Sequence, residues 1–258
     1  MSESTEGIVL RRIDYSETSL ILHFYTPDFG QVAALAKGAK RPKSAFQGGV
    51  DLLTRNQIVF LRRGPGGLAT LTESAILDDY RPLRSHFARL VRAQYLVELA
   101  AMMTTEEDPN RDLYDLLVRG LEALASGEGD AVAQTIAFEL GLLAAVGYAL
   151  DWQHCVGCGR ALAAREAATF STTAGGVWCA ACAGPPTGGT GVLGPGVLAA
   201  AALLTAGGRR AERLRLAPSQ VRPLGLVLGR YITNLVGRPP RLLKYLEMET
   251  CSPTGGKQ

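Results

Sequence analysis

The sequence predicts a multidomain α+β protein, with a five-stranded barrel at the N-terminus and a helical domain that carries an inserted four-cysteine module. Three observations support this prediction. Short apolar and aromatic runs, separated by Gly-rich turns, fill about residues 7–79, which is typical of a small barrel or sandwich. From Arg81 onward, apolar residues recur at helical spacing. Two Cys-x-x-Cys pairs then interrupt the helical region.

Five candidate strands define the N-terminal region. They span residues 7–15, 18–25, 31–37, about 51–63 and 68–77. Pro27 and Gly30 shape the turn after the second strand, and a Gly-Pro-Gly-Gly sequence joins the last two strands. Five strands within roughly 75 residues match the size of an oligonucleotide-binding (OB) barrel. We therefore predict an OB-fold nucleic-acid-binding domain over residues 1–80.

The rest of the chain is predicted to form a helical domain over residues 81–250, followed by a disordered tail at 251–258. Residues 131–148 are apolar nearly all round, so this helix is expected at the centre of the domain. A Pro/Gly-rich loop is predicted over 185–196. Later helices are predicted at 195–206 and about 219–236.

Four cysteines form the sharpest local pattern and occupy a predicted module at residues 150–185. Twenty residues separate the two pairs, which are Cys155 with Cys158 and Cys179 with Cys182. This spacing is typical of a structural Zn²⁺ site, in which four thiolates fill the tetrahedral shell and leave no position for a catalytic water. Two disulfides or four free thiols are the alternatives. His154 is expected near the metal or at the surface, because a fifth ligand is not needed.

Composition and charge alone exclude few classes of protein. The 258 residues are 47% hydrophobic and 20% charged, with a formal net charge of +3, so charge distribution must decide whether the protein binds nucleic acid. Only Cys251 is left over from the two pairs, which favours a reducing compartment. The polar, acidic N-terminus does not resemble a signal peptide, and the most apolar run is too short to span a bilayer. We expect a cytoplasmic protein without a membrane partner.

The basic residues of the predicted barrel are the candidates for nucleic-acid binding. Residues 7–72 contain nine Lys or Arg against four Asp or Glu. The nine are Arg11, Arg12, Lys37, Lys40, Arg41, Lys43, Arg55, Arg62 and Arg63. Four of them fall within residues 37–43, where Gly38 would let backbone and cations approach a phosphate chain together. The alternative for this segment is a solvated surface loop.

Two further sets of residues could contribute to such a surface. Phe24, Tyr25 and Phe46 could stack on bases, although core packing is the expected role for each. Arginines within residues 209–215 could extend a nucleic-acid surface, hold an acidic partner, or simply lie on a solvated helix face.

The sequence contains no catalytic constellation. The three histidines have no Ser or Cys nucleophile pattern around them; they are His23, His86 and His154. No GxSxG, P-loop, dinucleotide-binding glycine or HExxH motif occurs. We therefore predict that the protein is not an enzyme, and a zinc enzyme is the weakest alternative because all four ligand positions are filled.

Taken together, these motifs resemble the RecO family of bacterial recombination mediators. The resemblance covers roughly residues 7–248. It is carried by Gly7-Ile-Val-Leu, Tyr15-Ser-Glu17-Thr-Ser, Phe24-Tyr25-Thr26…Gly30, Lys37-Gly38-Ala39-Lys40-Arg41…Lys43-Ser44, Arg92-Ala93-Gln94-Tyr95-Leu96-Val97-Glu98-Leu99, Cys155-x-x-Cys158 and Phe170-Ser171…Gly175-Gly176-Val177…Cys179-x-x-Cys182.

The resemblance implies an OB-fold domain followed by a helical domain with a zinc module. It implies binding of single- and double-stranded DNA, annealing of complementary strands, and loading of RecA on strands coated by single-strand binding protein (SSB). The implied partners are RecR and the acidic C-terminal tail of SSB. The family's basic loop matches Lys37, Lys40, Arg41 and Lys43. A protein of this kind is expected to associate with the nucleoid.

Two alternatives remain open. The chain could be a scaffold that acts mainly through protein contacts, or an RNA-binding OB protein with a zinc ribbon, because basic OB folds bind RNA too. The cysteine module contains only two basic residues between its ligand pairs, Arg160 and Arg165. We therefore expect the metal to stabilise a long loop rather than to contact DNA.

Overall fold

The protein is described by a computed structural model that covers residues 2–42, 44, 46, 50–62, 64, 67–184 and 190–246. The chain forms two compact units, Met1–Ser126 and Gly127–Gln258. The first unit continues beyond the predicted barrel boundary at residue 80, because two helices pack on the barrel. The predicted disordered tail at 251–258 lies outside the described residues.

Five strands close a barrel in the first unit. They are β1 (Ser2–Asp14), β2 (Leu20–Thr26), β3 (Gly30–Ala36), β4 (Arg55–Leu61) and β5 (Ala69–Asp78). Their order around the barrel is β1-β2-β3-β5-β4. β3 runs parallel to β5, and the other neighbours are antiparallel. Five strands in this order form an OB-like barrel, which confirms the predicted fold class.

β1 is longer than predicted because it pairs with two strands. Residues 2–8 pair with β4, and residues 8–14 pair with β2. A register shift between Val9 and Arg11 marks an irregularity of the kind at which strands bend. The two halves of β1 therefore pair with two different strands, and this closes the barrel.

Alternating side chains fill the barrel. In β3, buried and half-buried residues alternate along the whole strand, as a strand with one face on a core requires. The buried cluster comprises Val9, Leu20, Leu22, Phe24, Val32, Ala34, Ala36, Phe46, Val50, Ile58, Phe60, Ala69 and Leu71. Removal of this apolar surface from water, at about 25 cal/mol per Å², is the main force that holds the barrel together.

Two helices cover one end of the barrel. After a short 3₁₀ helix at Arg81–Ser85 come α1 (Phe87–Met103) and α2 (Arg111–Ala125). Gln31 donates hydrogen bonds to the carbonyl oxygens of Ala101 (3.0 Å) and Thr104 (2.8 Å) at the end of α1. Tyr25 donates from its hydroxyl to the carbonyl oxygen of Asn110, which caps α2.

The opposite end of the barrel carries the β1–β2 turn. Strand pairing sets Asp14 beside Leu20, and Leu20 beside Ala36. The end of β1, the start of β2 and the end of β3 therefore lie together, away from the strand ends at Thr26 and Gly30 that the helices approach.

The second unit consists of helices and a small sheet. Its elements are α3 (Ala131–Ala145), β6 (Ala168–Ser171), β7 (Gly176–Trp178), β8 (Thr190–Leu193), α4 (Pro195–Ala206), α5 (Arg209–Glu212) and α6 (Pro218–Val236). α3 is buried along most of its length and packs against α4 and α6, as its apolar sequence predicted. Among the described residues, no helix is both long and apolar enough to cross a lipid bilayer.

The small sheet was not predicted. Its strands run in the order β7-β6-β8 with antiparallel pairing. The predicted loop at 185–196 is wrong for residues 190–193, which form β8. These strands are only three or four residues long, so their sequence has no extended alternation of apolar and polar residues.

Gly30→Ala should destabilise the first unit for two reasons. Gly30 has a φ of +64°, and an added Cβ would lie 2.7 Å from the Asp108 carbonyl oxygen. The left-handed conformation alone costs about 1–2 kcal/mol, and the close contact adds to this. We expect thermal unfolding to show a loss of at least about 2 kcal/mol. Gly67→Ala is a matched control, because nothing lies within 4 Å of its added Cβ; equal stability of the two variants would contradict this explanation.

Candidate nucleic-acid interface and metal centre

Lys40 holds the start of the basic segment at residues 37–43 against the β1–β2 turn. Its Nζ lies 2.8 Å from Asp14 Oδ1 and donates a hydrogen bond to the Ser16 carbonyl oxygen at 3.1 Å. Its backbone N–H donates to the Thr18 carbonyl oxygen at 3.0 Å. These contacts fix the start of the loop after β3 against the turn. We call the two segments, residues 14–19 and 37–41, the clamped loops.

Gly38 allows the sharp bend within the clamped loops. Its φ of +72° is unfavourable for a residue with a Cβ. Its N–H donates to Ser19 Oγ at 3.3 Å, and its carbonyl oxygen accepts from the Arg41 N–H at 3.0 Å. The residues on either side of the bend, Lys37 and Arg41, are both exposed.

The Lys40 ammonium is neutralised within the protein, whereas its basic neighbours are not. The hydrogen bond from Lys40 and its charge lower the pKa of Asp14, so this carboxylate stays ionised beside it. Arg11, Lys37 and Arg41 are exposed and have no acidic partner in the part of the chain that the structure describes. These three cations are therefore available to an anionic ligand.

Arg62 lies at the helix-covered end of the barrel. Its Nε is 3.1 Å from Glu3 Oε2, and its Nη1 is 3.5 Å from Glu107 Oε1. Its guanidinium also lies over the Phe29 and Phe60 rings, 4.9 and 5.5 Å from their centres. Arg62 therefore stabilises the barrel, and its contact with DNA stays a prediction.

Two other predicted DNA contacts also have acidic partners. Arg12 Nη1 lies 2.8 Å from Asp51 Oδ1, and Arg55 Nη1 lies 4.0 Å from Glu6 Oε2. Their roles in DNA binding stay predictions. The remaining two candidates lie outside the described residues: Lys43 and Arg63.

The aromatic residues considered for base stacking are all buried. Phe24 and Tyr25 are fully buried, and Phe46 is 6% exposed. These side chains pack in the barrel core or against the helices that cover it. Core packing was the expected role. The aromatic residue of the clamped loops that is exposed is Tyr15, at 60%. Tyr15 was not predicted as a stacking residue, although its place in a polar turn directly after β1 is a sequence signal for exposure.

Two rows of side chains cross the outer face of the barrel beside the clamped loops. Strand pairing across β1, β2 and β3 aligns Arg11 with His23 and Ala33, and Ile13 with Ile21 and Leu35. Burial, and then the charge of Arg11, lower the pKa of His23, so its imidazole is neutral near pH 7. This face therefore combines one exposed cation with half-buried apolar side chains.

The four predicted cysteine ligands converge in the second unit. Their Sγ atoms all lie within 4.8 Å of one another, and those of Cys158 and Cys179 are 4.0 Å apart. Four sulfurs bound 2.3 Å from a tetrahedral metal would be about 3.8 Å apart. The four Sγ atoms therefore need to move only slightly closer together to bind one metal ion. The cysteines are free rather than paired in disulfides. The cluster can therefore bind a metal ion.

The electrostatics of the cluster also favour a cation. The Cys179 N–H donates to Cys155 Sγ at 3.3 Å; this bond is the largest of several hydrogen bonds that lower the pKa of Cys155 to about 6. The neighbouring thiols of Cys158, Cys179 and Cys155 raise the pKa of Cys182 to about 12. The four groups therefore cannot all ionise near pH 7 by themselves. A divalent cation removes this conflict, because it stabilises all four thiolates.

Aromatic packing joins the cysteine module to the helices of the second unit. The Trp152 ring stacks on Phe170 with 5.6 Å between centres, and its Nε1–H donates to Thr205 Oγ1 of α4 at 3.0 Å. Phe170 in turn meets the edge of Tyr231 on α6 at 5.8 Å. The module is thus continuous with the core of this unit.

Two pairs of ionisable side chains lie near the cluster. Arg160 binds the Glu166 carboxylate through both terminal nitrogens, and this lowers the pKa of Glu166 to about 2. His154 Nδ1 lies 2.8 Å from Asp151 Oδ2, at the surface and outside the group of four sulfurs, as expected.

The fold and the two sites define a class of protein. An OB-like barrel with exposed cations is typical of proteins that bind nucleic-acid strands, and a closed group of four cysteines is typical of a structural metal site. Comparison with family models then gives the family. A model described as recombination protein O N terminal matches residues 1–80, and one described as recombination protein O C terminal matches residues 84–244. The chain belongs to the RecO family of DNA repair proteins.

Relatives named DNA repair protein RecO are similar to this chain. The protein of Rhodopirellula baltica is 37% identical over 177 residues, which is 68% of this chain and 65% of the relative. The protein of Anaeromyxobacter sp. (strain K) is 31% identical over 242 residues, covering 93% of this chain and 94% of the relative. The protein of Syntrophus aciditrophicus is 29% identical over 252 residues, 95% of each chain. The match thus spans under two thirds of the first relative and almost all of the other two.

Cys179→Ser should abolish stoichiometric metal binding and destabilise the second unit, because a buried thiolate ligand is lost. Elemental analysis should give one metal ion per wild-type chain and almost none for the variant. Cys251→Ser leaves all four ligands in place and should retain the metal.

Limited proteolysis should then cut the Cys179→Ser protein within residues 127–246 and leave a fragment of the first unit intact, since the ligands and the barrel belong to different compact units. Equal metal content in the two cysteine variants, or cleavage confined to the barrel, would contradict this assignment.

Proposed function

We propose that the protein is a DNA-repair recombination mediator that acts by binding DNA rather than by catalysis. The clamped loops carry this proposal: Lys40 is tied to Asp14, while Lys37 and Arg41 remain exposed on an OB-like barrel. Membership of the RecO family supports it. Both single- and double-stranded DNA are proposed ligands.

The proposed mechanism is electrostatic. Cations on the barrel neutralise phosphates of a bound strand and release counterions, which gives affinity without sequence preference. Arg11 extends the positive surface along β1. Two complementary strands brought to such a surface repel each other less, so they anneal more readily. No step requires a covalent intermediate or a bound nucleotide.

The proposal includes three protein partners. RecR and RecA would act with this chain on single-stranded DNA coated by SSB, and the acidic SSB tail would dock on the chain itself. A groove of about 790 Å³ in the second unit supports the tail site. Its lining combines basic Arg230 and Lys244 with apolar Leu226 and Leu243. Such a lining complements an acidic peptide that also carries apolar side chains.

We assign the metal as Zn²⁺ in a structural role. Zn²⁺ favours tetrahedral thiolate shells, and a shell of four sulfurs leaves no open coordination position for catalysis. Iron can occupy the same ligand set, and the elemental analysis proposed above distinguishes the two metals. Because Trp152 and Phe170 join the module to the core, binding of the metal contributes to folding of the second unit.

Replacing Lys37 and Arg41 together by Ala should weaken binding of single-stranded DNA. Each phosphate contact contributes about 0.7 to the slope of log K against log salt, so the slope should fall by about 1.4. At 0.1 M salt this corresponds to an affinity loss of about 25-fold. Fluorescence anisotropy of a labelled oligonucleotide over a range of salt concentrations measures both quantities.

A double variant of equal charge provides the control. Arg81→Ala with Arg119→Ala removes two exposed cations from other elements and should leave affinity and slope close to wild type. An unchanged affinity of the Lys37/Arg41 variant, with normal thermal unfolding, would remove the clamped loops from the DNA site. Competition with a matched RNA strand tests the RNA-binding alternative, which preferential displacement by RNA would favour.

Arg230→Glu with Lys244→Glu should weaken binding of a synthetic SSB tail peptide by about 10-fold or more, because attractive contacts become repulsive. Calorimetric titration measures this affinity. Arg209→Glu with Arg210→Glu reverses two exposed charges on α5, outside the groove lining, and should bind the peptide as wild type does. Equal peptide affinity of all three proteins would exclude the groove.

A further inference from the structure

We infer that Tyr15 is a base-stacking residue that adds affinity for single strands to the proposed DNA site. The inference rests on the proposed function, because it assumes that the clamped loops receive DNA. It adds a contact to the bases where the proposal so far contains contacts to phosphates alone.

Exposure alone does not single out Tyr15. Other large side chains in the described part of the chain are exposed too, including Phe87 at 75% and Tyr148 at 48%, and isolated exposed apolar residues are normal on protein surfaces. What distinguishes Tyr15 is its place. It is 60% exposed between two residues that both bind the Lys40 ammonium, Asp14 through its carboxylate and Ser16 through its carbonyl oxygen.

The backbone around Tyr15 is held by hydrogen bonds. The Tyr15 N–H donates to the Ser19 carbonyl oxygen at 3.1 Å, and the Ser19 N–H donates back to Ser16 Oγ at 3.1 Å. The turn is therefore closed on itself as well as clamped by Lys40. A ring presented from a fixed turn loses little conformational freedom when it contacts a ligand, so more of the stacking energy remains as affinity.

The surroundings of Tyr15 fit a nucleic-acid strand. Lys37 and Arg41 lie on the segment that Lys40 holds against the turn, and their cations suit the phosphates of a strand. Arg11 and Ile13 lie on the outer face of β1, and Tyr15 is the first residue after this strand. Cations beside an exposed ring form the combination that sequence-independent single-strand binding requires.

Base stacking also predicts for which form of DNA Tyr15 increases the affinity. Bases of a duplex are already stacked and paired, so their faces are closed to a protein ring. Unpaired bases offer a free face, and every base has one, so stacking adds affinity without sequence preference. Tyr15 should therefore increase affinity for single strands, while the cations serve both single and double strands.

The test measures the affinity of three ligands for the wild-type protein and for its Tyr15→Ala and Tyr15→Phe variants. Each protein is used as the whole chain, loaded with metal. The ligands are an oligothymidylate, an abasic oligonucleotide of the same length, and a duplex. Tyr15→Ala should bind oligothymidylate about 5- to 100-fold more weakly than wild type and bind the other two ligands normally. Tyr15→Phe should bind all three as wild type does, because stacking needs the ring and not the hydroxyl group.

Two further measurements separate stacking from other roles. The salt dependence of Tyr15→Ala should keep the wild-type slope, since no phosphate contact is removed. Phe87→Ala, which removes an exposed ring from the start of α1, should bind oligothymidylate normally. Thermal unfolding of each variant shows that a loss of affinity does not come from a loss of fold.

Several outcomes would overturn the inference. Normal oligothymidylate binding by Tyr15→Ala, together with weak binding by the Lys37/Arg41 variant, would reject Tyr15 and leave the proposed function standing. An equal loss on the abasic ligand would mean that Tyr15 only supports the cations, which also rejects stacking. Normal DNA binding with lost RecR binding would make Tyr15 a protein contact. If the wild-type protein binds no DNA, alone or with RecR, the proposed function itself fails.

Discussion

The first unit depends on the double pairing of β1. Pairing of residues 2–8 with β4 closes the barrel, and pairing of residues 8–14 with β2, which itself pairs with β3, makes β1 end where β3 ends. The turn after β1 and the loop after β3 are therefore brought side by side, although more than twenty residues separate Asp14 from Lys40 in the chain. The ion pair that joins them is a consequence of the antiparallel pairing of β1, β2 and β3, and it fixes the segment that carries the exposed cations.

The pair between Lys40 and Asp14 affects geometry more than stability. Exposed ion pairs contribute little to stability, so this one does not hold the barrel together. It uses one cation of the basic segment to fix the backbone that carries Lys37 and Arg41, and the same contact fixes the turn that carries Tyr15. Counting charge along the sequence treats these lysines and arginines alike, whereas the structure gives Lys40 an internal partner and leaves its neighbours exposed.

The features that the sequence could predict depend on local pattern. The apolar runs and Gly-rich turns predicted the barrel, and the spacing of Cys155, Cys158, Cys179 and Cys182 predicted their cluster. The start of β1 was missed because residues 2–6 are polar and form a strand only through pairing with β4. Strands β6 to β8 were missed because tertiary packing, rather than their short sequences, determines them. The partners of Arg62 lie far away in sequence, at Glu3 and Glu107, so charge patterning could not reveal its packing role.

The central claim is that the barrel end with the clamped loops receives single-stranded DNA, while the metal stabilises the other unit. Photo-crosslinking of the wild-type protein to oligonucleotides containing 5-iodouracil, followed by mapping of the crosslinked peptides, tests this claim most directly. The experiment needs no variant and is done with and without RecR. We expect crosslinks within residues 11–19 and 37–41 under both conditions. Crosslinks confined to residues 127–246 would contradict it.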